Sequence, residues 1–105
     1  MDIRPQYANL KISGGEMQVP PEDLNPRQVI IIKPGERIPV DAIVTQGSST
    51  LDTKALTGES EPRRVKIGSH IYSGSINLSG VLEARVLKAS ADSTASRIID
   101  MISNA

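Results

Sequence analysis

The chain has 105 residues, enough for one domain with a modest hydrophobic core. Hydrophobic residues make up 38% of it, but Phe and Trp are absent and Tyr occurs only twice, so the core must be built from Ile, Val and Leu, which suit strands. Twelve basic and twelve acidic residues give zero net charge, which disfavours a nucleic-acid or anionic-membrane surface, and the absence of cysteine excludes disulfides and thiolate metal sites.

The first third of the chain predicts a hairpin and one buried strand. Residues 1–7 contain Pro5 and show no clear period, and we interpret them as a lead-in. Residues 8–12 and 17–19 predict a hairpin with its turn at residues 13–15, and two prolines predict a bend or single helical turn over residues 20–24. Residues 28–33 contain the longest apolar run, which predicts a strand buried on both faces and is far shorter than the ~20 residues of a membrane-spanning helix.

The middle of the chain predicts turns between extended segments. Pro34-Gly35-Glu36 has Pro and Gly where a type II turn needs them. Residues 39–44 predict a second strand, which residues 46–49 end and residues 50–51 resume. Asp52 is expected to cap one helical turn over residues 52–56, which would carry residues 57–60 to the edge of the domain.

The last third predicts four short strands and a helix. The strands cover residues 63–66, 70–73, 75–78 and 81–88, and glycines separate them. Strands this short and evenly spaced predict a mainly β fold: a small distorted jelly-roll or β-sandwich. Residues 92–93 can cap a C-terminal helix over residues 92–104, with an apolar stripe at Ile98, Ile99, Met101 and Ile102.

The segment Thr57-Gly58-Glu59-Ser60 carries the chemistry of the chain. Gly58 permits positive φ and close approach of another molecule, and Glu59 stands at the tip of the turn between two hydroxyl-bearing residues. Pro62 limits how far the loop can flex. A carboxylate on a stiff, hydroxylated loop suits the positioning or deprotonation of a water molecule. The same residue types are common in surface turns, so these four positions alone favour a plain turn.

Three sequence blocks identify a family. Residues 34–41 (Pro-Gly-Glu-Arg-Ile-Pro-Val-Asp), Leu51-Asp52 and residues 56–62 (Leu-Thr-Gly-Glu-Ser-Glu-Pro) resemble, in order and spacing, the actuator domain of P-type cation-transporting ATPases. Residues 72–80 are similar to a later strand pair of that domain, and residues 1–10 are most similar to the heavy-metal branch, which exports zinc, cadmium or lead. The chain departs from the family at residues 25–28 (Asn-Pro-Arg-Gln, where Val-Gly-Asp is frequent), at Ala42 and at Thr53-Lys54.

The resemblance implies a catalytic role for residues 57–60. In this family an aspartate in another domain is phosphorylated by ATP, and the actuator domain then rotates so that its loop reaches the aspartyl phosphate. Glu59 is thereby expected to activate the water that hydrolyses this intermediate, while Thr57, Gly58 and Ser60 hold the loop and the water. The rotation would pull on membrane helices and couple hydrolysis to metal release.

The same resemblance implies how the chain is placed in a longer protein. Residues 1–105 would be one cytoplasmic domain of an integral membrane protein: a lead-in from a membrane helix (1–7), a β core (8–90) and a helix leading back to the membrane (92–104). The isolated domain should be inactive, because the sequence lacks both a Walker-type loop and the Asp-Lys-Thr-Gly segment that P-type pumps phosphorylate. We expect no cofactor or metal ligand here, with ATP and Mg acting elsewhere in the parent.

The expected partners are the phosphorylation and nucleotide-binding domains and the membrane helices of the same protein, with the transported divalent metal bound outside this domain and no nucleic acid. An actuator from a copper, potassium or calcium pump and a non-catalytic β-rich binding module stay open as alternatives. We expect structural roles for Asp41 and Asp52, a solvated pair at Glu36 and Arg37, and an ordinary strand position for His70.

Overall fold

The computed structural model describes residues 7–88, which form nine strands around an aliphatic core. The strands are β1 (Ala8–Ile12), β2 (Gly15–Val19), β3 (Val29–Ile32), β4 (Ala42–Gln46), β5 (Ser49–Asp52), β6 (Arg63–Val65), β7 (His70–Ile71), β8 (Ile76–Asn77) and β9 (Leu82–Val86). A 3₁₀ turn (Pro21–Asp23) follows β2, and a short helix, α1 (Lys54–Thr57), follows β5. The predicted helix over 92–104, the end of the predicted core and most of the lead-in lie outside the described residues.

The strands are arranged in two antiparallel sheets that share one core. The larger sheet has the order β2-β1-β3-β9-β4-β7, and the smaller has the order β6-β5-β8. Ile30 and Leu82 enter the core from the larger sheet, and Leu51 and Val65 enter it from the smaller one. This arrangement confirms the mainly β prediction of a small, distorted fold of short strands.

The first three strands confirm most of the local predictions. β1 and β2 pair from Ala8↔Val19 to Ile12↔Gly15, and the proline pair forms the expected single helical turn. The prediction that β3 is buried on both faces is wrong for one face. Ile30 and Ile32 are buried, whereas the two alternate residues of β3 are only half-buried, because the aliphatic core lies on one face of the larger sheet.

The turn after β3 is as predicted, but its acidic side chain is not free in solvent. Gly35 has φ +87°, and the Glu36 N–H donates to the Lys33 carbonyl at 3.1 Å, as in a type II turn. The prediction of a solvated Glu36–Arg37 pair is wrong. The Glu36 carboxylate accepts hydrogen bonds from Asn9 Nδ2 at 3.0 Å and from the Lys33 N–H at 2.7 Å, while Arg37 forms a β-bridge with Ile76. The Glu36 carboxylate therefore connects its turn to β1 through the hydrogen bond from Asn9.

A buried amide at Asn77 joins the two sheets. Its side chain donates to the carbonyl of Ile32 at 3.0 Å and of Gly80 at 2.6 Å, and it accepts a hydrogen bond from Ser49 Oγ at 2.5 Å. Its backbone N–H donates to the Glu36 carbonyl at 2.9 Å. Asn77 is fully buried, so every one of these bonds replaces a bond to water.

Arg27 has an unfavourable backbone conformation, and we expect Arg27→Gly to stabilise the domain by roughly 0.5–1 kcal/mol. Its φ of +79° lies in the left-handed region, which costs a non-glycine residue about 1–2 kcal/mol, partly offset by the extra freedom that Gly gives the unfolded chain. Chemical denaturation should show a higher midpoint with an unchanged slope. The control is Arg63→Gly, in the exposed part of a strand, which should lower the denaturation midpoint. If the midpoint fell in Arg27→Gly as well, the backbone conformation of Arg27 would not be a source of instability.

Candidate functional site

The candidate loop is carried by the end of β5 and the single turn of α1. The sequence predicted a helical turn over 52–56, and the structure places it later, at Lys54–Thr57. The shift arises because Asp52 is still in β5, paired with Ile76, and its Oδ1 accepts the Lys54 N–H at 2.9 Å. The expectation that Asp52 caps the turn is wrong, because Thr53 is the N-cap residue and its side chain makes no capping hydrogen bond. Asp52 lies one residue earlier, at the end of the strand, and its contact with Lys54 agrees with a structural role.

Gly58 ends α1 and turns the chain outward. It adopts the left-handed conformation (φ +77°, ψ −4°), and its N–H donates to the Lys54 carbonyl at 2.9 Å. Glycine is the usual residue at this position of a helix end because it has no Cβ penalty there. No atom lies within 4 Å of the place where a Cβ would be, so it is the conformation rather than crowding that favours glycine.

The hydroxyl of Thr57 fixes the start of the next segment. Thr57 Oγ1 donates to the Thr53 carbonyl at 3.2 Å and accepts the Glu59 N–H at 3.2 Å. One side chain thus links the first turn of α1 to the backbone of Glu59. Glu59 and Ser60 are both exposed, and among residues 7–88 the Glu59 carboxylate has no hydrogen-bond partner. Its oxygens are available to a molecule outside this part of the chain.

The geometry gives Glu59 the properties of a water-positioning or proton-accepting group. Its backbone is held by Thr57, and its carboxylate is presented to solvent beside the hydroxyl-bearing Ser60. Residues 7–88 contain no group of three or more His, Cys, Asp or Glu side chains that could hold a metal ion. The loop therefore presents one exposed carboxylate and two exposed hydroxyl-bearing residues, Thr57 and Ser60, to solvent.

The family comparison decides what kind of domain this is. Residues 2–103 match the family model described as the P-type ATPase actuator domain. The chain belongs to this family. The resemblance seen in the sequence blocks at 34–41, 51–52 and 56–62 is therefore confirmed.

Similar proteins are heavy-metal pumps, and each is much longer than this chain. The cadmium, zinc and cobalt-transporting ATPase of Bacillus subtilis (strain 168) is 50% identical over 105 residues, and the zinc-transporting ATPase of Synechocystis sp. is 45% identical over the same length. The actuator chain spans about 15% of either relative. A crystal structure of a zinc-transporting PIB-type ATPase superposes with a TM-score of 0.92 and 28% identity, covering 99% of this chain and 17% of the other.

In the part of the actuator domain that the structure describes, no helix is both long enough and apolar enough to cross a membrane.

Asp41 and His70, for which structural positions were expected, lie in other parts of the chain than residues 57–60. Asp41 is buried and accepts the Ser73 N–H at 3.0 Å, which agrees with its expected structural role. His70 is an exposed residue of the two-residue strand β7, as an ordinary strand position requires. Lys54, Arg63 and Arg64 are exposed, and the first of them is in α1.

Sequence reasoning missed the Thr57–Glu59 contact. Residues 57–60 were identified as a group, but nothing assigned the Thr57 hydroxyl to the Glu59 N–H. The available signal was the threonine two residues before Glu59, because Ser and Thr hydroxyls frequently bond backbone groups two residues away.

Proposed function

We propose that this chain is the actuator domain of an ATP-driven pump for divalent heavy-metal cations, and that Glu59 promotes hydrolysis of the pump's aspartyl phosphate. The observation that carries the proposal is the exposed carboxylate of Glu59, a residue whose backbone N–H donates to the Thr57 hydroxyl at the end of α1, in a chain of the actuator family. A fixed backbone with a solvent-facing base is what a loop needs if it is to act on a group in another domain.

The proposed reaction is the attack of water on the phosphorus of the aspartyl phosphate. Glu59 accepts the proton that the water loses, the bond between phosphorus and the aspartate oxygen breaks, and inorganic phosphate and a free carboxylate result. Thr57 and Gly58 hold the backbone of the loop, and Ser60 supplies a hydroxyl for the water. Phosphoryl transfer depends mainly on positioning and on charge stabilisation, which suits one carboxylate on a held loop.

ATP and Mg²⁺ act, under this proposal, in the phosphorylation and nucleotide-binding domains of the parent protein. When bound there, ATP would supply the phosphoryl group, and Mg²⁺ would offset the negative charge of the phosphates. The sequence has no Walker-type loop, and residues 7–88 offer no metal-ligand group, so neither is assigned to this domain. Rotation of the domain would transmit the hydrolysis step to membrane helices, with this chain on the cytoplasmic side.

The proposed cargo follows from the relatives. One similar protein has a name that specifies cadmium, zinc and cobalt, and another has a name that specifies zinc alone. Two similar solved structures are of zinc-transporting ATPases. Identities of 50% and 45% across the whole chain favour a pump with similar cargo. The cargo itself would bind outside this domain.

The cargo is tested by ATP hydrolysis of the purified parent pump with a panel of cations. We expect Zn²⁺ and Cd²⁺ to stimulate hydrolysis, while K⁺ and Ca²⁺ leave it at the basal rate. Stimulation by Cu⁺ alone would assign the domain to a copper pump instead. The role of the loop is tested separately, by the lifetime of the phosphoenzyme when Glu59 is replaced.

A further inference from the structure

We propose that Asp52 is a positioning residue for the hydrolysis step: its carboxylate anchors α1 to the smaller sheet and so sets the place of Glu59. The inference rests on the proposed role of Glu59. It adds a residue outside the 57–60 loop and a physical route by which that residue acts. Asp52 would touch neither the phosphate nor the water.

The helix α1 packs only lightly on the domain: Leu56 is half-buried and the other three residues are exposed. It has four residues, and none of them is buried. A single turn is far too short to be stable by itself, because helix nucleation is unfavourable. Within the described part of the chain, the side-chain and turn hydrogen bonds of residues 53–60 all stay between residues 52 and 59. The position of α1 therefore depends on the partial packing of Leu56 and on the hydrogen bond made by its first residue, Lys54.

Asp52 makes the hydrogen bond that connects the first residue of α1 to the smaller sheet. It is the last residue of β5, the central strand of the smaller sheet, and it pairs with Ile76 of β8. The neighbouring Leu51 is part of the core. From this rigid place the Asp52 carboxylate accepts the Lys54 N–H at 2.9 Å, which satisfies a donor that the start of a helix leaves without an intrahelical partner.

A short series of contacts leads from Asp52 to Glu59. The carbonyl of Lys54 accepts the Gly58 N–H at 2.9 Å, so the residue that Asp52 holds also holds the end of the turn. Thr57 bridges the Thr53 carbonyl and the Glu59 N–H. Release of the first contact would loosen the turn to which the others belong. A displacement of about 1 Å at a reacting group can lower a rate by as much as ~10²-fold.

The test is the phosphoenzyme lifetime of the intact parent pump with Asp52→Ala. We expect the lifetime to rise by about 2-fold to about 30-fold, which is less than the ~10²-fold that a displacement of about 1 Å at a reacting group can cause. Asp52→Asn keeps an oxygen that can accept the Lys54 N–H and should restore the lifetime to within about 2-fold. Asp23→Ala, at an exposed acidic residue far along the chain, should leave it unchanged.

The combination of Asp52→Ala with Glu59→Gln separates positioning from a general structural effect. If Asp52 acts only through Glu59, the double variant should hydrolyse its phosphoenzyme no more slowly than Glu59→Gln alone, because coupled residues are not additive. If the lifetime of the double variant rises by the product of the increases seen in the two single variants, Asp52 acts independently of Glu59 and the proposal is overturned. Should Asp52→Ala fail to fold, Thr57→Val tests the next contact of the same series, that of the Thr57 hydroxyl with the Glu59 N–H, and Thr57→Ser is its control. Combined with Glu59→Gln, Thr57→Val should add no further increase in lifetime, and increases that multiply would overturn the proposal.

The outcomes also distinguish this inference from the proposed function. A normal lifetime in Asp52→Ala together with a long one in Glu59→Gln overturns the positioning role and leaves the hydrolysis role of Glu59 intact. A normal lifetime in both overturns the two proposals together. A long lifetime in Asp52→Ala that Asp52→Asn does not restore contradicts the hydrogen-bond mechanism.

Discussion

In the intact parent pump, Glu59→Gln should lengthen the lifetime of the phosphoenzyme by roughly 10²–10⁴-fold, the usual contribution of a positioned general base. Glutamine has nearly the same size and can still bind a water molecule, but it cannot take up the proton that the attacking water releases. The side chain is exposed and has no hydrogen-bond partner within residues 7–88, so the fold should not change. Radiolabelled ATP loads the aspartate, and a chase with unlabelled ATP follows the loss of label.

The matched control is Glu61→Gln, which removes an equally exposed carboxylate two residues further along. It should leave the lifetime close to that of the unmodified pump. Phosphorylation itself should persist in both variants, because under the proposed function the phosphorylated aspartate belongs to another domain of the parent pump. Decay of the label at the unmodified rate in Glu59→Gln would mean that the loop is structural, and the interpretation as a non-catalytic β-rich module would gain support.

Local features of this domain could be predicted from sequence because their causes are local. The β-branched run of β3, the glycine turn of the first hairpin and the proline pair each fix the conformation of the residues that carry them. Residues 57–60 could be identified for the same reason, since the glycine, the acidic residue and the two hydroxyl-bearing residues that indicate a functional loop are adjacent in the sequence. The helix boundary was less accurate, because Asp52 still pairs with Ile76 as the last residue of β5 and the helix begins only at Lys54.

Contacts between distant residues could not be predicted in this way. Glu36 was expected in solvent, and nothing near it in the sequence indicates that Asn9, 27 residues away, donates to its carboxylate. The positive φ of Arg27 is imposed by a turn whose ends join β3 and β9: the Arg27 N–H donates to the Val86 carbonyl, and the Val86 N–H donates to the Gln28 carbonyl. The sequence marked residues 25–28 as a departure from the family but did not reveal this conformation.

Asn77 is the strongest of these long-range cases, and Asn77→Ala should destabilise the domain by about 3 kcal/mol or more. The substitution would leave the buried carbonyl of Ile32 and the half-buried carbonyl of Gly80 without their side-chain donor, and the Ser49 hydroxyl would lose one of its several partners. A buried group that loses its partner costs about 1–3 kcal/mol. Chemical denaturation followed by circular dichroism measures the loss. For a domain of this size the melting temperature should fall by at least about 12 °C.

Two further variants show whether the hydrogen bonds or the packing of Asn77 matter. Asn77→Asp has the same shape and keeps an acceptor for Ser49, but an ionised carboxylate can donate to neither carbonyl and brings a buried charge toward them. It should therefore destabilise at least as strongly as alanine at neutral pH. Asn25→Ala, at an exposed asparagine, should change stability by less than about 0.5 kcal/mol. If Asn77→Asp were as stable as the unmodified chain, the hydrogen bonds that Asn77 donates to the Ile32 and Gly80 carbonyls would not be what stabilises the contact between the sheets. The stabilisation would then come from the volume that the side chain fills.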